Sequence, residues 1–221
     1  MQSFSGVLFD FDGVIGDTMH DNYIAWTHAL GLFGASATKE EYFLVEGERV
    51  SDIASILLKR CGKDPANGQK VAIEKDTYYK SHNTFRFSTG IPEFVDSLIN
   101  NKTPVGCVSG GSRMRLLTPE TSLLLSKFQA IVTADDVTKG KPNPEPFLKG
   151  AAKLGLDPNE CIVIENAPLG VKSAKAAGMF CIAVTTTLKA EHLSEADLIL
   201  PSTENLLGTF EFASPKIIFK T

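Results

Sequence analysis

The sequence of 221 residues predicts an α/β protein: a doubly wound parallel sheet interrupted by one α-helical insertion. Two observations lead to this prediction. Short apolar runs alternate with stretches of helical periodicity, as expected when strands and helices alternate in a parallel sheet. Between residues 16 and 87, no run has the composition of a buried strand. We therefore expect an α/β core domain from residues 1–15 and 88–221, and a helical cap domain from residues 16–87.

The first strand is predicted at the apolar run Gly6 to Phe9, which ends in a turn at Gly13. Helical periodicity then predicts four helices in the insertion, at residues 17–30, 38–45, 50–60 and 65–82. Asp17 is a typical capping residue for the first of them. Segments 13–17 and 87–90 are the expected hinges, which would let the cap open and close.

Strand and helix patterns alternate again after Thr89-Gly90-Ile91-Pro92. The predicted helices cover residues 92–100, 113–127 with a disturbance at Pro119, 146–154 and 170–177. The predicted strands cover residues 105–108, 130–133, 161–164 and 181–184. Repeated strand-helix-strand units are connected by right-handed crossovers, and this connection requires a parallel sheet.

Two carboxylates, Asp10 and Asp12, follow the first predicted strand. Residues two apart in a strand point the same way, so these charges repel unless a proton or a cation separates them. Mg²⁺ suits the pair, because it is usually held by one or two carboxylates together with water and phosphate. The competing interpretation is that both aspartates are turn formers before Gly13.

Three more segments place polar groups after apolar runs or at rigid turns. Ser109 and Gly110 follow residues 105–108, where a hydroxyl and nearby amides can bind an anion. Lys141 precedes Pro142, which keeps it out of a helix and lets it neutralise phosphate. Glu165 and Asn166 follow residues 161–164 and offer oxygen ligands. An ordinary Ser/Gly loop and a solvated lysine are the simpler interpretations of the first two.

In this order, the four segments resemble the haloacid dehalogenase-like superfamily of phosphohydrolases, in the branch related to β-phosphoglucomutase. The resemblance implies a Rossmann-like core and Mg²⁺-dependent phosphoryl transfer. In that scheme Asp10 attacks phosphorus and forms an aspartyl phosphate. Asp12 acts as general acid and then as base, and gives its main-chain carbonyl to the metal.

The resemblance also implies roles for the other strand-end residues. Ser109, Gly110 and Lys141 would bind the transferring phosphoryl group. Glu165 and Asn166 match the acidic metal-binding motif of the superfamily, which usually has Asp where this chain has Asn166. An amide still donates an oxygen to a metal, but it carries no charge.

Two residues of the insertion enter through the same resemblance. The run 164–170 is similar to a subgroup that includes a bacterial inorganic pyrophosphatase, and in Val45-Glu46-Gly47 the residue Glu46 matches a cap glutamate that reaches Mg²⁺. An ordinary exposed glutamate is the competing interpretation. Asn22 stands ten residues after Asp12, where the mutase relatives carry a cap histidine, and is a candidate substrate-binding residue.

The sequence thus predicts an enzyme that hydrolyses a small phosphate ester or pyrophosphate with Mg²⁺ as cofactor. Two alternatives remain. One is a phosphosugar mutase similar to β-phosphoglucomutase, although Asn22 replaces the histidine of that reaction. The other is a catalytically weak relative kept for binding or regulation, a possibility raised by Asn166.

The composition narrows the classes of molecule that the protein is expected to bind. The net charge is −4, from 22 basic and 26 acidic residues, so there is no broad positive field for nucleic acid. The four cysteines form no CxxC pair and are expected as apolar fillers in a reducing compartment. No signal-peptide pattern and no apolar segment of about 20 residues is present. We expect a cytoplasmic protein that binds a small phosphorylated substrate and no membrane. The oligomeric state stays open, and a monomer is compatible with the composition.

Overall fold

The computed structural model describes residues 2–220 and is built around a six-stranded parallel sheet. From one edge to the other, the strands are β4 (Ala130–Val132), β3 (Val105–Val108), β2 (Gly6–Phe9), β5 (Cys161–Glu165), β6 (Phe180–Val184) and β7 (Leu198–Leu200). The chain order reverses between β2 and β5. In doubly wound sheets, ligands bind at the carboxyl ends of the strands near this reversal.

Both faces of the sheet are buried, which explains why its strands read as continuous apolar runs. One face carries α5 (Ile91–Asn100), α6 (Arg113–Leu116), α7 (Pro119–Leu125) and α10 (Leu206–Thr209). The other carries α8 (Glu145–Leu154) and α9 (Pro168–Ala176). Alternate residues of β2 enter the two layers, with Val7 and Phe9 on the first face and Leu8 on the second.

Residues 19–82 form a helical segment with a hydrophobic cluster of its own. Its helices are α1 (Met19–Leu32), α2 (Lys39–Phe43), α3 (Val50–Arg60) and α4 (Gly68–His82). Helix α4 packs against both α1 and α3. Trp26, Leu30, Tyr42, Leu57 and Val71 are buried together between these helices. The helices of this segment therefore pack around a hydrophobic cluster formed by their own residues.

A capping box fixes the start of α2. The Thr38 hydroxyl accepts a hydrogen bond from the backbone N–H of Glu41 at 3.2 Å, and the Glu41 carboxylate accepts one from the backbone N–H of Thr38 at 2.7 Å. These bonds satisfy amide groups that the first turn leaves without partners. They set the position of the loop that leads from α2 to α3.

The two chain segments that join the helical segment to the sheet run side by side. Gly16 forms an isolated antiparallel bridge with Phe87. The backbone N–H of Asp17 donates to the carbonyl of Arg86, and that of Ser88 donates to the carbonyl of Ile15, each at 2.9 Å. The expected hinge segments 13–17 and 87–90 meet at this paired connection.

A small antiparallel sheet brings residues from both ends of the described chain together and was not predicted from the sequence. Its strands are β1 (Ser3–Phe4), β9 (Lys216–Phe219) and β8 (Phe210–Ala213), in that order. Phe4, Phe210 and Ile217 insert into the first apolar layer of the main sheet. These strands mix buried with exposed residues, so they lack the continuous apolar run that predicts the strands of the main sheet.

The predicted fold class is confirmed, and most element boundaries agree within two residues. The disturbance predicted at Pro119 within residues 113–127 is a complete break, and the chain forms two helices there, α6 and α7, instead of one. Proline has no N–H and begins the second helix instead of continuing the first. The expected helix 65–82 begins with a 3₁₀ turn over Pro65–Asn67 before α4.

Cys107, Cys161 and Cys181 are buried free thiols in β3, β5 and β6, as expected of small apolar fillers. Within residues 2–220, every helix is too short or too polar to cross a bilayer.

Candidate active site

The carboxyl ends of β2, β3 and β5 bring three of the predicted site residues to one edge of the sheet. Phe9 pairs with Cys107 on one side and with Ile164 on the other. Asp10 therefore emerges between Val108-Ser109 and Glu165. All three polar side chains are buried.

Lys141 is the cation at this edge. Its Nζ donates to Asp10 Oδ1 at 2.6 Å, to Glu165 Oε1 at 2.7 Å and to the carbonyl of Val108 at 3.2 Å. All three ammonium protons therefore have acceptors. Burial alone would lower the pKa of Lys141, but the two carboxylates outweigh it and hold that pKa above its usual range. The solvated-lysine interpretation is wrong, since the side chain is 1% exposed.

Glu165 has both of its carboxylate oxygens occupied. Oε1 accepts from Lys141, and Oε2 accepts from the backbone N–H groups of Asn166 at 2.7 Å and Ala167 at 2.8 Å. A side chain at Gly170 would collide with this carboxylate, so only glycine fits there. Glu165 thus fixes Lys141 and the loop into α9 together.

Asn166 is fully buried and presents an oxygen that has no hydrogen-bond partner within residues 2–220. Its Nδ2 donates to the Thr187 hydroxyl at 2.7 Å, while Oδ1 is buried and unpartnered. A buried carbonyl oxygen without a donor costs free energy unless a ligand takes up its lone pairs. This oxygen and the Asp10 carboxylate are hard oxygen ligands of the kind that Mg²⁺ takes. The residues present therefore fit the implied metal.

Histidine, cysteine, aspartate and glutamate side chains alone would not be enough ligands for a metal ion here. No three of them within residues 2–220 are grouped in a way that could hold a metal ion. The candidate ligand set is mixed and includes the amide oxygen of Asn166. The main-chain carbonyl of Asp12 completes it according to the family resemblance.

Asp12 is held by a different set of partners from Asp10. Arg115 of α6 pairs with both carboxylate oxygens, and its Nη1 lies 3.1 Å from Oδ1. The Thr18 hydroxyl donates to Oδ1 at 2.6 Å, and Asn22 Nδ2 donates to the same oxygen at 2.9 Å. Burial acts to raise the pKa of Asp12, but the guanidinium beside it outweighs burial and holds the pKa below its usual range.

The pKa of Asp10 shifts the other way. Burial raises it well above its usual range, and the Lys141 ammonium opposes that shift without cancelling it. In this arrangement Arg115 pairs with the carboxyl group that the family resemblance assigns to proton transfer.

The loop between α2 and α3 reaches this edge of the sheet. The backbone carbonyls of Gly47 and Glu48 approach Gly110 so closely that a Cβ there would lie 2.9 and 2.7 Å from them. Glu46 lines a narrow cleft with Asn22, and its Oε2 is buried without a partner in the described chain. Burial, then the charge of Asp12, raises the pKa of Glu46. The interpretation of Glu46 as an ordinary exposed glutamate is therefore wrong.

Two cations in the cleft were missed by sequence reasoning, Lys75 of α4 and Arg115 of α6. Lys75 is 2% exposed, and its Nζ meets one carboxylate, that of Asp76 at 3.3 Å. Lys75 Nζ and Arg115 Cζ lie 5.1 and 5.3 Å from the centre of the Tyr79 ring. A signal for Lys75 existed, because it shares the buried face of α4 with Val71 and Tyr79 at helical spacing.

A cavity of about 420 Å³ opens on the other side of Arg115. Phe11, Tyr79 and Phe85 provide its aromatic walls, and residues of α6 and α7 also line it. Arg115 lines both this cavity and the narrow cleft, and its guanidinium pairs with Asp12.

Of the nine predicted site residues, the structure brings all to this edge or to the cleft beside it. Asp10, Lys141, Glu165 and Asn166 lie at the strand ends. The Ser109 hydroxyl is buried next to them and accepts from the backbone N–H of Gly111 at 3.0 Å. The remaining four, Asp12, Asn22, Glu46 and Gly110, surround or line the cleft.

Comparison with known proteins identifies the family of this chain. The family model of the haloacid dehalogenase-like hydrolases matches residues 7–184. Hexitol phosphatase A of Escherichia coli is 33% identical over 209 residues, covering 92% of this chain and 94% of that protein. Validoxylamine A 7'-phosphate phosphatase of Streptomyces hygroscopicus is 31% identical over 197 residues, covering 87% and 91%.

A solved structure agrees with these relatives. The putative β-phosphoglucomutase from Bacteroides vulgatus superposes with a TM-score of 0.82 and 31% identity, covering 93% of this chain and 87% of that one. Its similarity extends through both the sheet and the helical segment. On these grounds the chain belongs to the haloacid dehalogenase-like hydrolase family of enzymes, among its phosphatase and phosphomutase members.

Proposed function

We propose that this protein is a Mg²⁺-dependent phosphohydrolase that acts on a small phosphate ester or pyrophosphate through a phosphoryl-aspartate at Asp10. One observation carries the proposal. The Asp10 carboxylate is paired with the Lys141 ammonium at the end of β2, and Asn166, with its unpartnered oxygen, follows the adjacent strand β5, where the sheet order reverses. A carboxylate, a fixed cation and a free oxygen ligand together suit nucleophilic attack on a phosphoryl group.

In the first step, a carboxylate oxygen of Asp10 attacks phosphorus and the bond to the leaving oxygen breaks. Asp12 gives its proton to that oxygen. Lys141, the Ser109 hydroxyl and the backbone around Gly110 bind the oxygens of the transferring group and offset their charge. In the second step, Asp12 takes a proton from water, the water oxygen attacks phosphorus, and the bond to Asp10 breaks. Phosphate leaves and both aspartates are restored.

The metal would be held by the Asp10 carboxylate, the Asp12 carbonyl and the Asn166 oxygen, with Glu165 and Glu46 as further candidates. When bound, Mg²⁺ supplies positive charge that offsets repulsion between Asp10 and the phosphoryl oxygens. The ion pair between Arg115 and Asp12 sets a condition for turnover. Arg115 has to leave Asp12 before that carboxyl can hold the proton it donates.

We further propose that residues 16–87 act as a cap over the site. The carbonyls of Gly47 and Glu48 already lie against Gly110, so the helical segment covers the strand ends in the described conformation. The paired connection at Gly16 and Phe87 gives a narrow hinge. Closure would exclude water during the first step and favour transfer to Asp10.

The two cations of the cleft, Lys75 and Arg115, narrow the range of candidate substrates. Lys75 meets a single carboxylate, and the Nε of Arg115 is buried without an acceptor in residues 2–220. Both have donors to spare for the leaving group. A leaving group that carries its own negative charge would satisfy these donors, and pyrophosphate has such a group.

A phosphosugar mutase is the second candidate. Asn22 donates to Asp12 at 2.9 Å, so the cap residue at this place touches the acid-base group although it is not a histidine. β-Phosphoglucomutase of Bacillus subtilis is also a relative, 28% identical over 208 residues.

A substrate panel with Mg²⁺ and with EDTA separates the candidates. We expect inorganic phosphate to be released from pyrophosphate or a small ester, and EDTA to stop the release. Conversion of β-glucose 1-phosphate to glucose 6-phosphate with no phosphate released would identify a mutase. No turnover of any compound, with binding retained, would identify a weak relative. The panel should include both anomers of glucose 1-phosphate.

A further inference from the structure

A run of three threonines, residues 185–187, follows β6 and faces the loops that carry the site. The Thr187 hydroxyl accepts from Asn166 Nδ2 at 2.7 Å. The Thr186 hydroxyl donates to the carbonyl of Gly13 at 2.7 Å. This turn therefore touches both the loop after β2 and the loop after β5, and nothing in the proposed chemistry has used it.

The contact to Asn166 matters because an asparagine ligand has to be held in one orientation, whereas an aspartate in its place would not. A carboxylate presents an oxygen to a cation in either of its two orientations. An amide rotated by 180° presents an NH₂ group instead, and its hydrogens repel a cation. An asparagine ligand therefore depends on a neighbour that fixes which end faces the metal.

We propose that Thr187 is this neighbour, a positioning residue that holds the NH₂ of Asn166 and so directs Oδ1 toward the metal. The inference rests on the proposed Mg²⁺-dependent function. Asn166 is fully buried and lies against Gly13, so its amide depends on hydrogen-bond partners within the fold. The hydroxyl of Thr187 is the acceptor that the NH₂ group has in the described chain. Groups that orient a metal ligand in this way commonly change metal affinity by 10 to 100-fold.

The test is calorimetric titration of Mg²⁺ into the full chain without substrate. We expect Thr187→Val to weaken binding by about tenfold or more, and Thr187→Ser, which keeps the hydroxyl, to bind as the wild type does. Thr185→Val is the matched control, because the Thr185 hydroxyl donates to the carbonyl of Pro201 away from the site. It should bind Mg²⁺ with unchanged affinity.

The same substitution in a second background separates positioning from packing. Asn166→Asp should bind Mg²⁺ more tightly than the wild type, because it adds a charge. In that background Thr187→Val should change the affinity by less than about twofold, since either carboxylate oxygen can face the metal. Thr187→Ala repeats both comparisons if the valine variant does not fold.

Three results would overturn the inference. A wild type that binds no Mg²⁺ overturns the proposed function, and the inference with it. A wild type that binds Mg²⁺ while Thr187→Val binds equally well overturns the inference alone. Equal weakening by Thr187→Val in the wild-type and Asn166→Asp backgrounds also overturns it, because a loss of packing affects both.

Discussion

The two aspartates after β2 are two residues apart, but their partners come from different parts of the fold. Asp10 meets Lys141 and Glu165, which lie at the carboxyl edge of the main sheet. Asp12 meets Arg115 of α6 and Asn22 of α1. We call these the sheet half and the helix half of the site.

The two halves differ in how firmly the fold fixes them. Buried parallel strands fix the register of the sheet half, so the geometry around Asp10 is tied to the core. The helix half is assembled across the contact between the helical segment and the core, and it lines the cleft and the larger cavity. The sheet half therefore suits a step common to all substrates, and the helix half suits recognition of the leaving group.

The first prediction removes the nucleophile from the sheet half. Asp10→Asn keeps the size of the side chain but cannot attack phosphorus, so we expect turnover to fall at least about 10³-fold for every substrate. Steady-state kinetics on the active substrates of the panel measures this loss. Far-UV circular dichroism should show an unchanged fold. A folded variant with wild-type turnover would contradict the role of Asp10.

The second prediction concerns the proton carrier of the helix half. Asp12→Ala should lower kcat by about 10²-fold or more for alkyl phosphates, whose leaving oxygen needs a proton. The loss should be smaller for p-nitrophenyl phosphate, because its leaving oxygen departs without one. Comparing kcat for the two esters measures the difference. Equal losses would show that Asp12 mainly positions other groups.

The same division explains what the sequence could predict. Asp10, Ser109, Glu165 and Asn166 each follow a short apolar run, and the ends of parallel strands necessarily meet at one edge of the sheet. Local pattern and topology were therefore sufficient to place these four residues at one edge, whereas Lys141 follows no apolar run and the proposed roles come from the family resemblance. Pattern and topology were also sufficient for the fold class, because the strands are continuous apolar runs.

The helix half needed information that a local pattern does not carry. Arg115 lies on a helix of four residues and pairs with Asp12, which stands 103 residues earlier in the chain. Lys75 shares the buried face of α4 with Val71 and Tyr79, but their spacing does not tell that this face borders the cleft. Long-range packing decides both positions. The strands after residue 184 were missed for another reason, since most of them are too short or too exposed to show a period.

The third prediction tests whether the helix half favours a leaving group that carries negative charge. Arg115→Met removes a cation that has a donor to spare, so kcat/KM for pyrophosphate should fall about tenfold further than kcat/KM for p-nitrophenyl phosphate. Arg113→Met is the matched control on the same short helix, because Arg113 pairs with Asp136 at 2.9 Å and not with Asp12. It should leave the ratio unchanged. An equal fall for both substrates after Arg115→Met would assign Arg115 to catalysis in general.

The last prediction concerns Asp136, a carboxylate that lies outside both halves of the site. Asp136 accepts from the backbone N–H and the hydroxyl of Thr133, each at 2.8 Å, and lies near the cations of Lys153 and Arg113. Burial opposes the shift, but these hydrogen bonds and charges lower the pKa of Asp136 from 3.8 to about 2. The folded state therefore favours the ionised form. This stabilisation is complete above the unfolded pKa of 3.8 and disappears as the pH falls through about 2.

Because solvent screens part of this interaction, we expect Asp136→Asn to lose about 1 kcal/mol in free energy of unfolding at pH 7. Urea denaturation of both proteins should give a constant difference from pH 7 down to about pH 5, and a shrinking one between pH 4 and pH 2. The amide keeps a hydrogen-bond acceptor, so the variant tests the charge itself. Turnover should not change, because Asp136 touches neither aspartate of the site. A difference that grows as the pH falls would mean that Asp136 is destabilising when ionised, and that the cations around it do not offset its burial.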